Sequence, residues 1–124
     1  MARILIAEDD EAVRGLVMRA LAEDGHELTA TADGIAALDV LDQSGDFDLL
    51  LTDVKMPVMD GIALALAAVR DHPDLTILLM TGYADQRERA HGLEALIHDV
   101  ITKPFSVAEI QAAVEGALAA GKQN

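Results

Sequence analysis

Cysteine and tryptophan are absent from this 124-residue chain, and aromatics make up only 2% of it. Without cysteine there is no disulfide framework, no thiolate metal site and no cysteine nucleophile. With so few aromatics the core must be aliphatic, drawn from the 52% of residues that are hydrophobic. That bias suits parallel strands buried on both faces. Basic residues are scarce as well. Nine Lys and Arg against 22 Asp and Glu leave a net charge of -13, which would repel a phosphate backbone and argues against nucleic-acid binding. No apolar run approaches a membrane span, and Met1-Ala2-Arg3 leads into an apolar strand with no signal segment. A cytoplasmic protein without a membrane partner is expected.

What is present is organised around residues 49–61. Leu49, Leu50, Leu51 and Thr52 form an apolar run without polar alternation, as a strand buried on both faces requires. Asp53 follows where such a strand surfaces, at the carboxyl edge where open α/β sheets bind ligands. Met56-Pro57-Val58-Met59-Asp60-Gly61 is then a loop leading into a helix. Charge is concentrated here too: residues 1–60 hold 14 acids and four bases, the remainder eight and five.

Strand and helix signals alternate five times. Strands are expected at 3–7, 27–31, 48–52, 76–80 and 99–102. Val13, Leu16, Val17, Ala20 and Leu21 fall on one face of a first helix. Asp33 caps a second that carries Ile35, Leu38 and Leu41 and closes at Ser44-Gly45. The third, from Gly61 to Arg70, is apolar nearly all round, so Leu64 is expected to reach the surface. Residues 84–96 suggest a charged helix weakened by Gly92, expected to be the most mobile element. Ser106 and Glu109 form a capping box opening a last helix whose Val107, Ile110, Val114, Ala117 and Leu118 share a face. One domain over residues 1–120, with a tail at 121–124, has room for a single core.

Five such units imply a flavodoxin-like (βα)5 doubly wound parallel sheet with strand order 2-1-3-4-5, helices lying on both faces. In that order the tips of strands one and three meet. Glu8, Asp9 and Asp10 then approach Asp53, and carboxylates so crowded favour a hard divalent cation such as Mg²⁺. The acidic triplet also suits a helix N-terminus electrostatically. Thr81 and Lys103 close the fourth and fifth strands. Each alone reads as an ordinary turn or surface residue; together with the acids they make a phosphoryl site. Pro104 disfavours helix at Lys103 and permits a cis bond. His26, His72, His91 and His98 have no metal-ligand spacing and are assigned to surface or packing.

With these residues the chain resembles a response-regulator receiver domain of two-component signalling. The likeness runs along its whole length, through Glu8-Asp9-Asp10, the loop from Asp53 to Gly61, Thr81-Gly82 and Lys103-Pro104-Phe105. It implies that Asp53 is the phosphoacceptor, that Asp9 binds Mg²⁺ directly and Glu8 through water, and that the main-chain carbonyl of Lys55 is a further ligand. Thr81 would hydrogen-bond the phosphoryl group and Lys103 would pair with it. The donor would be a sensor histidine kinase or a histidine phosphotransfer protein. The modified surface would comprise the fourth helix, fifth strand and last helix, and slow self-hydrolysis would reset it without making the protein an enzyme in the usual sense.

Many receivers carry an aromatic in the fifth strand where this chain has Val100. Thr81-Gly82-Tyr83 resembles receivers that lack that aromatic, so Tyr83 is the expected switch residue; a loop tyrosine that merely covers the site is the competing reading. Lys55 and Tyr83 also occupy positions that tune dephosphorylation. The chain more weakly resembles single-domain cell-cycle receivers of the DivK and CpdR kind. Two other classes remain: a phosphorylation-independent scaffold, and a metal-dependent phosphatase, for which the Asp-x-Asp signature is replaced by Asp53-Val54-Lys55. Flavin binding is disfavoured by the acids that follow the first strand.

Overall fold

The computed structural model describes residues 2–82 and 96–122. Its elements are β1 (Arg3–Ala7), α1 (Glu11–Glu23), β2 (Glu27–Thr31), α2 (Gly34–Ser44), β3 (Leu49–Asp53), α3 (Gly61–Asp71), β4 (Thr76–Thr81), β5 (Asp99–Thr102) and a C-terminal helix (Val107–Lys122). The helix expected at 84–96 falls, all but its last residue, outside the described residues. The strands form one sheet in the order β2-β1-β3-β4-β5, with every neighbouring pair parallel. This is the doubly wound topology that the alternating strand and helix signals imply.

Alternation along the central strands sorts their side chains into two cores. Leu5, Leu50, Ile77 and Leu79 point to one face, where α2 and α3 supply Ala37, Leu41, Leu64, Ala65 and Ala68. Ile4, Ile6, Leu49, Leu51, Leu78 and Met80 point to the other, where α1 and the C-terminal helix supply Val17, Leu21, Ile110, Val114 and Ala117. All five residues of β3 are buried, as its apolar run demands, whereas the edge strand β2 has no fully buried residue.

Each helix start is fixed by a cap that the sequence announces. Asp10 accepts from the backbone N–H groups of Ala12 and Val13, Asp33 from Ala36 and Asp60 from Ala63. Ser106 and Glu109 cap each other's backbone N–H at 3.1 and 2.9 Å, completing the capping box. Such caps contribute about 1 kcal/mol each. Gly45 closes α2 at φ 70°, a conformation that favours glycine.

Several expectations need correction. Leu64 is fully buried, and Leu66 is the exposed leucine of α3. The helix is apolar on every side, so periodicity could not choose its inner face; Gly61, Leu64, Ala65 and Ala68 form that face at i, i+3, i+4 and i+7. Ile35 and Val107, each in the first turn of its helix, are exposed. β3 and β4 each run one residue further than expected, so Asp53 and Thr81 are held by the sheet itself. The C-terminal helix continues to Lys122, past the start of the expected tail.

Leu64→Ala is expected to lower the free energy of unfolding by about 2–5 kcal/mol, and Leu66→Ala by under about 1 kcal/mol, in urea denaturation.

Candidate functional site

Because all five strands run the same way, their carboxyl ends share one edge. There β1 delivers Glu8 and Asp9, β3 delivers Asp53, β4 delivers Thr81 and β5 leads into Lys103. All of these but the buried Thr81 border a cleft of about 790 Å³, which Lys55 also lines. Ligand oxygens of Glu8, Asp9 and Asp53 all lie within 4.8 Å of one another. Among the described residues no other group of three His or acidic side chains converges in this way. A second depression, of about 500 Å³, lies at the opposite edge of the sheet; its Asp46, Asp71, His72 and Asp74 do not gather into such a group.

Glu8 has no exposed surface and is held at four points. Its N–H donates to the Thr31 carbonyl (3.1 Å), and its carbonyl accepts from Arg14 Nη1 (2.9 Å). Its carboxylate accepts from the Asp10 N–H (3.1 Å) and from Lys103 Nζ (2.6 Å). The same ammonium lies 3.1 Å from Asp53 Oδ1, so one cation bridges two buried carboxylates. The Lys103-Pro104 bond is cis, and the Lys103 N–H donates to the Thr81 carbonyl at 2.7 Å. Thr81 is fully buried, and its hydroxyl has no hydrogen-bond partner among the described residues.

The backbone behind Asp53 is packed tightly. The Val54 N–H donates to Met80 and the Gly61 N–H to Val54. A Cβ on Gly61 would lie 2.0 Å from the Asp53 carbonyl oxygen, so only glycine fits where α3 begins. Between them the Met59 N–H donates to the Pro57 carbonyl at 2.8 Å across Val58, whose φ is 67°. This γ-turn places a β-branched residue, 90% exposed, in a strained conformation.

Burial pushes the Glu8 carboxyl up to about 7, reinforced by the charge of Asp53 and opposed by hydrogen bonds from Lys103 and Asp10. Burial pulls the other way on Lys103, but its hydrogen bond to Glu8 and the fields of Asp53 and Glu8 outweigh this and raise it. The cluster is thus short of positive charge. Three carboxylates are a hard-oxygen set of the kind Mg²⁺ takes, with Lys103 as their counter-ion in the metal-free protein. The donor set fits that ion.

The structure therefore brings Glu8, Asp9, Asp53 and Lys103 together and ends the neighbouring β4 at Thr81, with Lys55 exposed on the cleft wall. Val100 is not in the cleft; it is half-buried in β5 against the core shared with α2 and α3. Tyr83 and His91 lie outside the described residues. Asp10 serves as the cap of α1 rather than as a fourth converging ligand. His26 accepts from the Ala2 N–H and His72 faces Asp42, so neither takes part. Two contributors were missed by sequence reasoning. Gly61 had a signal, a glycine at a helix start after Asp53; Arg14 had only its place as one of four bases in an acidic half.

The model of the response regulator receiver domain family matches residues 4–115, and the chain belongs to that family. It is 38% identical over 120 residues to the response regulator receiver protein CpdR of Brucella abortus, covering 97% of this chain and 99% of that one. It is 36% identical to the response regulator MprA of Mycobacterium avium over 94% of this chain, which spans about half of MprA. Among solved structures, a CheY-like receiver domain protein from Methanospirillum hungatei superposes with a TM-score of 0.89 at 27% identity, over 99% of this chain and 98% of that one. The chain is thus a receiver of two-component signalling, with the CheY-like flavodoxin fold.

Since the Glu8 carboxyl is raised from 4.5 to about 7, the folded protein binds more protons than the unfolded chain across that range. The contribution from Glu8 is fully present below about pH 4.5 and is lost as pH rises through about 7. Relative to Glu8→Gln, wild-type unfolding free energy should fall by roughly 2–3 kcal/mol between pH 4.5 and 7.5 in metal-free buffer, measured by urea denaturation.

Proposed function

We propose that this protein accepts a phosphoryl group on Asp53 from a phosphohistidine of a sensor histidine kinase or histidine phosphotransfer protein, and that the modified form alters protein contacts. The observation that carries this reading is the buried Asp53 carboxylate, sharing the Lys103 ammonium with Glu8 inside an acidic cluster. Glu8, Asp9 and Asp53, with the main-chain carbonyl of Lys55, would hold Mg²⁺. When bound, the ion supplies positive charge for the transferring phosphoryl oxygens.

An Asp53 carboxylate oxygen attacks phosphorus as the phosphorus–nitrogen bond of the donor breaks, its electron pair returning to the imidazole. Little covalent work is asked of the protein; positioning and charge stabilisation dominate. Lys103 offers its ammonium to the transferred group while remaining near Asp53. The Thr81 hydroxyl, buried and without a partner among the described residues, is a donor available to a phosphoryl oxygen. Drawing Thr81 and Lys103 toward the new group moves the ends of β4 and β5, which are already joined through Lys103 N–H and the Thr81 carbonyl. The change then spreads to the surface of β5, the C-terminal helix and the segment between β4 and β5. The likeness to the response regulator receiver protein CpdR, which the match covers over 99% of its length, supports the phosphoacceptor reading.

Incubation with a small acyl phosphate and Mg²⁺ should add the mass of one phosphoryl group to the intact protein, as read by mass spectrometry. Asp53→Asn, or omission of Mg²⁺, should leave the mass unchanged; an adduct that persists in Asp53→Asn would sink the assignment.

With Val100 in place of the strand aromatic, Tyr83 takes the switching role. Its ring resonances should move when beryllofluoride and Mg²⁺ are added, and an unchanged ring environment in the nuclear magnetic resonance spectrum would reject that role.

A further inference from the structure

Asp9 is the loosest member of the acidic cluster. Glu8 and Asp53 are buried and share Lys103, whereas the Asp9 side chain is exposed and has no hydrogen-bond or ion-pair partner among the described residues. What holds Asp9 in place must therefore act through the backbone on either side of it.

One residue does so on both sides. The Arg14 N–H donates to the carbonyl of Asp10 at 2.9 Å, the first bond of α1. The Arg14 guanidinium reaches back along the turn, and Nη1 donates to the carbonyl of Glu8, also at 2.9 Å. Asp9 thus lies between two carbonyls that the same residue holds. We infer that Arg14 is a positioning residue for the β1–α1 turn, its clasp across Asp9 setting where that carboxylate enters the cation site. This rests on the reading of Glu8, Asp9 and Asp53 as the ligands of that site.

Arg14 does not line the cleft, and the structure gives it no carboxylate partner among the described residues. Its role is therefore separable from electrostatics by sign. A fixed positive charge close to a cation site repels the cation, so if charge were its only influence, removing it would tighten Mg²⁺ binding. If the clasp matters more, removing it loosens the turn and weakens binding, as loss of groups that orient metal ligands commonly does by about ten-fold or more. A single N–H···O bond to a carbonyl does not need the planar fork of arginine, so lysine can replace it in part.

The test compares wild type, Arg14→Ala and Arg14→Lys on the intact chain, with Mg²⁺ alone as the probe. Isothermal titration calorimetry should show Arg14→Ala binding Mg²⁺ about ten-fold more weakly than wild type, with Arg14→Lys recovering most of the loss. In metal-free protein the amide resonances of Glu8 and Asp10, which report the turn directly, should shift in Arg14→Ala and return toward their wild-type positions in Arg14→Lys. Equal or tighter Mg²⁺ binding by Arg14→Ala overturns the proposal, as do unmoved Glu8 and Asp10 amides. Failure of wild type itself to bind Mg²⁺ would instead overturn the cation site, and the metal-free amide shifts would then decide the clasp on their own.

Discussion

Everything at the carboxyl edge of this sheet answers to one constraint: three acidic side chains share a space too small for their mutual repulsion. Glu8 and Asp53 are withdrawn from water, and the one cation between them among the described residues comes from Lys103, 95 residues from Glu8 along the chain. In water such a pair contributes little, but burial removes the screening and makes its absence costly. The parallel sheet imposes this crowding. Any fold that brings the ends of β1, β3 and β5 to one edge must place whatever those ends carry close together.

The acidity of the chain divides into parts with different physical roles. Asp10, Asp33 and Asp60 satisfy backbone donors at the starts of α1, α2 and α3. Glu8, Asp9 and Asp53 instead converge on the cleft and, although Glu8 accepts from the Asp10 N–H, leave a deficit of positive charge there. Acids at the amino edge are partly matched by the Arg3 guanidinium, which pairs with Asp46 and Glu27 and lies over the Phe47 ring, while the Arg3 backbone N–H donates to Asp48. One compositional excess therefore supports helix initiation at several points and a receptive site at one. Counting charges in residues 1–60 could not separate these uses, because a capping aspartate and a converging one look alike until their neighbours are known.

Much of the architecture was legible because the signals were redundant. The buried run of β3, the alternating elements and the capping box each pointed to the same topology, and the acids, hydroxyl and ammonium fell at strand ends by spacing alone. Errors arose where the sequence was degenerate. In α3 every side is apolar, so nothing in its pattern distinguishes Leu64 from Leu66; the choice is made by Gly61 lying flat against Asp53. Ile35 and Val107 belong to the apolar patterns of their helices, yet both are exposed, because an apolar residue in a first helical turn need not be covered. Arg14 escaped notice because its contribution is a contact with a main-chain carbonyl, which no residue-type pattern encodes.

The absence of a side chain on Gly61 has a mechanical consequence for signalling. With the start of α3 pressed against the carbonyl of Asp53, that residue's main chain has no room to shift toward the helix. Under the phosphorylation proposed for Asp53, movement would have to be taken up on the other flank, where β3 adjoins β4 and β4 adjoins β5. Direction, in a switch of this build, would be set by the wall that cannot yield.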